Sequence, residues 1–244
     1  MNRANIVDCV KVYKAEADKL AHTYSHKHSL LKLAFFFPMW YKYLNNGSSP
    51  IQDNLPWITF SAIKYLKNTL TKDMVVYEFG SGGSTLFLAK RVKQVYSVEH
   101  DKTWFLTVSA AIKNKGYSNW SGRVIEPGYG GEHLEKSPSD PDAYISGSPD
   151  FKGYSFKNYV ESIDDFSDGH FDLVLIDGRA RPSCFKHAIS KVRVGGYIMW
   201  DNTERSYYLE DIQNLQGELL RVDFPGPGPY VTYFTQTSIW IRHK

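Results

Sequence analysis

Val75-Val76-Tyr77-Glu78-Phe79, Gly80-Ser81-Gly82-Gly83-Ser84-Thr85, Leu86 to Arg91 and then Val95 to Glu99 decide how this chain folds. The first run is apolar and β-branched, the second is a turn rich in glycine, the third starts a helix, and the fourth is a second strand that ends in an acid. Glycines at such a turn let backbone approach a ligand closely, and an acid at the end of the next strand stands where a nucleotide ribose needs an acceptor.

The bulk numbers fit that unit. A chain of 244 residues is one α/β domain with additions, long enough for a substantial core. Hydrophobic residues make 42% and charged residues 23%, ordinary for a globular protein. A net charge of only +3, with 29 basic residues interleaved among 26 acidic ones, argues against a dedicated nucleic-acid binder. Cys9 and Cys184 form no CxxC and no zinc-spaced cluster, so a reducing, cytoplasmic setting is the simpler expectation. The first twenty residues carry charges throughout and lack a signal-like apolar core, and no run has the length of a membrane span. Residues 30–44 are dense in aromatics. They suit either a helix packed on the core or on a second subunit, broken at Pro38, or a peripheral contact with a membrane surface or apolar substrate.

Outward from the opening unit, helices are expected over Asn5–Ala21, His28–Leu44 and Pro56–Leu70, with a linker at residues 45–50. Strand and helix then alternate: strand Met74–Phe79, helix Ser84–Val92, strand Gln94–Glu99, helix Lys102–Lys115 and a short strand Arg123–Glu126. Residues 127–170 form an irregular insertion, with a short helix in Ser155–Ile163. Its Tyr129, Tyr144, Tyr154, Phe156 and Tyr159, with Pro225–Pro229, suit a lid over a site. Strand Phe171–Ile176, helix Pro182–Lys191, strand Tyr197–Trp200 and helix Tyr207–Leu215 follow. The tail reads as two strands with no helix between them, so the last is expected to be antiparallel. The expected fold is a doubly wound, mostly parallel seven-stranded α/β sheet with a helical extension at 1–55 and the main domain at 56–244.

From Trp57 to Arg242 the chain resembles the class I S-adenosylmethionine-dependent methyltransferases. Glu78-Phe79-Gly80-Ser81-Gly82-Gly83, Glu99, Phe171 to Asp177, and Gly195-Gly196-Tyr197 to Asp201-Asn202 carry the resemblance in the right order. It implies that Glu78 organises the turn or meets the methionine amino group, and that Gly80, Ser81, Gly82, Gly83 and Ser84 pass under the methionine and ribose. It also implies that Glu99 accepts from the ribose hydroxyls and that His100 and Glu126 lie near the adenine. A dinucleotide is the competing cofactor, but the third glycine of its fingerprint is Thr85 here.

Asp177, Asp201 and Asn202 end two strands, and such oxygen ligands suit Mg²⁺. The trio resembles the metal site of the catechol and sugar O-methyltransferases, which implies metal-assisted transfer to a hydroxyl of a small molecule. Where the catechol enzymes have a lysine base, this chain has Ala180. Arg179 and Arg181 are expected to grip an anionic group of the substrate, and His133 and His170 are candidate bases. Transfer to nitrogen or a carboxylate without metal, and cofactor binding without catalysis, are the alternatives. A homodimer through the aromatic segment is also expected.

Overall fold

The computed structural model describes residues 5–23, 30–130, 136–215, 217 and 219–243. The glycine turn forms between β1 (Val75–Phe79) and the short helix α5 (Gly83–Ala89), and β2 (Gln94–Glu99) leads into α6 (Lys102–Asn114). Asp101 starts α6 as its N-cap, accepting from Trp104 N–H at 2.9 Å. Before them come α1 (Ile6–Thr23), α2 (Leu30–Asn45), α3 (Pro50–Asp53) and α4 (Phe60–Thr69). After them come β3 (Trp120–Val124), the ribbon β4 (Gly128–Tyr129) and β5 (Tyr154–Ser155), then α7 (Lys157–Glu161). β6 (Phe171–Ile176), α8 (Arg181–Lys191), β7 (Val192–Asp201), β8 (Leu219–Gly226) and β9 (Thr235–Arg242) complete the chain.

Seven strands form one sheet in the order β3-β2-β1-β6-β7-β9-β8, and β9 alone runs against its neighbours. Strand order reverses between β1 and β6, the place where open α/β sheets bind their ligands. Register fixes what meets there. Phe79 faces Val98 on one side and Ile176 on the other, and Ile176 faces Trp200. The next residues, Gly80, Glu99, Asp177 and Asp201, therefore stand in one row along the carboxyl edge of the sheet.

Both faces of the sheet are covered, which explains why its strands read as continuous apolar runs. Val76, Leu173, Leu175, Met199 and Ile239 enter one core, while Tyr77, Phe79, Val174, Ile176, Trp200 and Trp240 enter the other. The first core also takes Cys9, Tyr13 and Trp40, so the helical extension shares it with the main domain. Both cysteines are buried and free.

Several boundaries differ from the sequence expectation. α2 runs through Pro38 without a break, because Phe36, Phe37, Trp40 and Tyr41 all pack on the core and outweigh one missing backbone bond. Of the aromatic segment's large residues, Phe35 and Met39 remain exposed. Among the described residues no helix is long and apolar enough to cross a membrane. α4 starts at Phe60, not at Pro56, since Thr59 is its N-cap. The expected linker runs straight into a helix, since its last residue Pro50 opens α3, closed by a Ser49–Gln52 capping box.

β3 lies three residues earlier than expected. Trp120 packs against Phe105 and donates its Nε1–H to Ser97 Oγ at 3.1 Å, and Gly122 leaves room for its ring. β7 is longer than expected, and residues 207–215 hold two single 3₁₀ turns in place of a helix. There the chain is held by tertiary contacts: Tyr208 lies against Trp200, and Asp211 accepts from Ser139 of the insertion. The insertion itself is core as much as lid, because Phe156, Tyr159, Val160 and Ile163 are completely buried.

Trp40 ties α2 to the loop between β8 and β9 by donating to Val231 O at 2.8 Å. Replacing it by Ala removes a fully buried indole and should cost about 3–5 kcal/mol in urea unfolding. The loss should appear as an earlier midpoint of a single transition, since the extension shares the main core.

Candidate functional site

At the end of β1 the backbone turns at Gly80 with φ +91°, a conformation that favours glycine. A Cβ there would stand 2.9 Å from Gly178 Cα, and one on Gly178 would stand 2.0 Å from the Tyr159 hydroxyl. The loops after β1 and β6 thus touch through backbone alone. Gly83 is equally confined, its missing Cβ position being 2.4 Å from both Pro50 O and Leu55 O. Thr85, where the dinucleotide fingerprint has a glycine, ties the loop inward. Its hydroxyl accepts from Gly82 N–H at 2.8 Å and donates to Glu78 Oε2 at 2.6 Å.

Glu78 is completely buried, also accepts from Ser97 Oγ at 2.9 Å, and leaves Oε1 without a partner. Burial pushes its carboxyl up to about 7 against the pull of the Ser84, Thr85 and Ser97 hydroxyls. Glu99 is the opposite case. Oε2 accepts from Ser81 N–H (2.8 Å) and Oγ (3.1 Å), and Oε1 from His100 N–H (2.8 Å) and Asp101 N–H (3.1 Å). His100 Nδ1 also lies 2.7 Å from Oε1. Burial works against its charge, but these bonds and His100 outweigh it and hold the carboxyl below the usual range. Glu99 is the ionised acid of the loop.

Across the row, Asp177, Asp201 and Asn202 do converge, and the guanidinium of Arg181 sits among them. Arg181 Nη2 meets Asp177 Oδ1 at 3.0 Å, Nη1 meets Asn202 Oδ1 at 3.2 Å and the Asp201 carbonyl, and Nε meets Gly178 O at 3.0 Å. Asp201 is buried and accepts from Thr237 Oγ1 at 2.6 Å. Burial and the neighbouring Asp177 push its carboxyl well above the usual carboxylate range. For Asp177 burial raises the pKa, and Arg181, Arg179 and Arg205 pull back against it. Its side chain is 24% exposed, and among the described residues no donor reaches Oδ2.

One cavity of about 500 Å³ joins the two halves, from Ser81, Glu99 and Trp104 to Asp177, Arg179 and Tyr233. Its far wall is the β8–β9 loop, through Gly228 and Val231.

No family model matches the chain, and no curated protein matches it. Solved structures do. The O-methyltransferase TomG from Streptomyces achromogenes, involved in tomaymycin synthesis and solved with S-adenosylmethionine, is 13% identical. The match covers 81% of this chain and 91% of that one at a TM-score of 0.55. The O-methyltransferase from Bacillus cereus, solved with S-adenosylhomocysteine, is 14% identical over 96% and 99% of the two chains, at 0.53. An rRNA methylase from Streptococcus thermophilus is 15% identical over 75% and 95%, at 0.51. The fold is that of the class I methyltransferases.

Set on that methyltransferase fold, the expected loop residues Gly80, Ser81, Gly82, Gly83, Ser84, Glu99 and His100 all line the cavity. Glu78 does not: it lies behind the loop and braces it. Glu126 is exposed, two residues past the end of β3, and is not among the residues that line the cavity. His170 stands at the start of β6, the opposite end from Asp177, packed against Phe166 and Phe171, and so cannot act as a base at the site. His133 lies outside the described residues. Arg179 lines the cavity over the Phe151 ring, its centre 5.2 Å away. Arg181 is buried and spent on protein oxygens, so it does not grip a substrate.

The residues that suggested Mg²⁺ do not fit it. Asp177 Oδ1 and Asn202 Oδ1 are already bonded to a guanidinium, and Asp201 Oδ1 is bonded to Thr237. Among the described residues no group of three or more His, Cys, Asp or Glu is gathered as a metal needs. Trp104, Arg205, Tyr233 and Thr235 line the cavity and were missed. Trp104 had a signal, falling three residues after the N-cap Asp101; its Nε1–H reaches Ser81 O at 2.7 Å. The other three come from segments with no motif.

Glu78 makes stability depend on pH. Folded, it holds its proton up to about 7, whereas unfolded it releases it near 4.5. Stability from this group is therefore lost as pH rises from about 4.5 to about 7 and then levels off, by up to about 3 kcal/mol. Glu78→Gln should remove that slope, so that its melting temperature gains on the wild type between pH 5 and pH 8. Parallel curves would refute it.

Proposed function

We propose that the protein transfers the methyl group of S-adenosylmethionine to a hydroxyl of a small molecule such as a sugar or a phenol. The observation that carries this reading is the ionised, loop-locked Glu99 beside a glycine turn in the cavity at the carboxyl edge of the sheet. Ser81 Oγ, on one rotatable bond, would give up its place at Oε2 to a ribose hydroxyl, while the backbone N–H groups keep the carboxylate aimed. The Trp104 indole, fixed by its bond to Ser81 O, offers a flat wall to the adenine end. When bound, the methyl donor supplies an electrophilic carbon on a sulfonium.

Asp177 is the proton acceptor in this reading. Arg181 pins Oδ1 of this cavity-lining residue, and the unbonded Oδ2 would take the proton as the acceptor oxygen forms its bond to the methyl carbon. The C–S pair leaves on sulfur as the thioether, and Asp177 returns the proton to solvent. Alignment of the two substrates supplies most of the rate. A second reading, an acceptor bearing a carboxylate, is favoured by Arg179, whose buried Nε has no partner. Product analysis with labelled donor on a panel of phenols, sugars and uronates separates hydroxyl from carboxyl methylation.

Calorimetry with S-adenosylhomocysteine should give one site on the wild type. Glu99→Ala should weaken it by about 2–3 kcal/mol, roughly 30–150-fold. Equal affinity would sink the ribose assignment, and no heat from the wild type would sink the function.

For transfer itself, kcat/KM should rise with pH to a plateau, with its midpoint above the ordinary aspartate value, because Asp177 works only when ionised. Asp177→Asn should keep affinity for S-adenosylhomocysteine yet lose about 10²–10⁴-fold in rate. A full rate in that variant would exclude Asp177 as the base.

A further inference from the structure

Arg181 is 6% exposed and has five N–H groups to satisfy. Nε donates to Gly178 O, Nη1 to Asp201 O and Asn202 Oδ1, and Nη2 to Asp177 Oδ1 and, at 3.4 Å, to Asp177 O. Every donor is used, and every acceptor belongs to the ends of β6 and β7. The backbone is bent to make this possible. Ala180, just before α8, has φ +47°, and Asn202, just after β7, has φ +60°. Neither is glycine, and alanine has no polar side chain to offset the left-handed conformation. These two turns bring the guanidinium and the Asn202 amide together.

We infer that Arg181 holds the place of the metal: the acids and amide at the ends of β6 and β7 anchor a permanent protein cation, and the site takes up no divalent ion. This deepens the methyltransferase reading and rests on it. A fixed guanidinium differs from Mg²⁺ in what it leaves free. A metal keeps open positions that a substrate oxygen enters, whereas Arg181 has no donor left. Arg181 is therefore a positioning residue. It holds Asp177 through Oδ1 and leaves Oδ2 unbonded, so that proton transfer runs through a carboxylate and not through a metal-bound oxygen.

A second cation here would meet the positive guanidinium, already bonded to the oxygens it would need. Arg181→Ala removes that obstacle and frees Asp177 Oδ1, Asn202 Oδ1 and three carbonyl oxygens, a hard oxygen set of the kind divalent ions prefer. The substitution should convert the site from one that excludes metal to one that takes it.

The test is Mn²⁺ titration of the whole chain with S-adenosylhomocysteine present, free Mn²⁺ being read by electron paramagnetic resonance. The wild type should leave the signal undiminished, Arg181→Ala should remove one equivalent, and Arg181→Lys, which keeps a cation, should remove none. Where Arg181→Ala melts too early to titrate, Arg181→Met keeps the volume without the charge and takes its place. One equivalent bound by the wild type overturns the inference. So does a folded Ala or Met variant that binds none. Calorimetry on the same samples separates the two levels of failure. No heat with S-adenosylhomocysteine in the wild type sinks the methyltransferase reading, whereas heat together with bound Mn²⁺ sinks only the metal-free site.

Discussion

The contact on which the rest depends is backbone against backbone, where Gly80 meets Gly178 at the ends of β1 and β6. It closes the sheet at the point of strand reversal and admits no side chain on either residue. Because Asp177 N–H bonds Phe79 O and Gly80 N–H bonds Val98 O, the approach also fixes the relative height of three strand ends. The row of Gly80, Glu99, Asp177 and Asp201 follows from it. A Cβ on Gly80 would stand 2.9 Å from Gly178 Cα, and one on Gly178 3.0 Å from Phe79 O and 2.0 Å from the Tyr159 hydroxyl, so either would disturb the packing of the strand ends.

Four carboxyl groups stand within this small region, and their surroundings set them apart. Glu78 is buried with three hydroxyls and no cation, so it titrates near neutrality. Glu99 is equally buried but meets backbone N–H groups and His100, and stays charged. Asp201 is buried beside Asp177 with a single hydroxyl for a partner, which pushes its carboxyl well above the usual range. Asp177 alone combines a guanidinium on one oxygen with an open face on the other. Sequence position made Asp177 and Asp201 look alike, since each ends a strand before a turn. Asp201 differs in lying beside β9, whose Thr237 is its register partner and donates to Oδ1 at 2.6 Å.

The strands were legible because their pattern is local. A run buried on both faces, a glycine turn and a terminal acid announce themselves over a few residues, and β1, β2 and β6 fall within a residue of their expected bounds. β3 was misplaced because Trp120 and Gly122 are a matched pair, each strange as a strand residue until the other is seen beneath it. Pro38 misled because its cost is local while its compensation, the packing of four aromatic residues, is not. Of the glycine loop, the sequence told which residues line the cavity. It did not tell that Glu78 turns away, since only Thr85 and Ser97 decide the direction of that side chain.

Arg181 is the instructive case. Spacing suggests a basic residue aimed at substrate, because it lies on the same turn as Arg179, two residues away. The two have opposite fates. Arg179 precedes the left-handed Ala180 and stays at the cavity wall over Phe151. Arg181 follows it, opens α8, and is carried under the strand ends, where burying an unpaired guanidinium would be costly and protein oxygens must meet it. One backbone angle thus separates a group free to bind an anion from a group committed to holding Asp177. It also transfers specificity to the cavity walls. On the proposed reading, with no coordination position to fill, an acceptor would be chosen by Arg179, by the rings of Trp57 and Tyr233, which also line the cavity, and by the β8–β9 loop, which Trp40 holds through Val231 O.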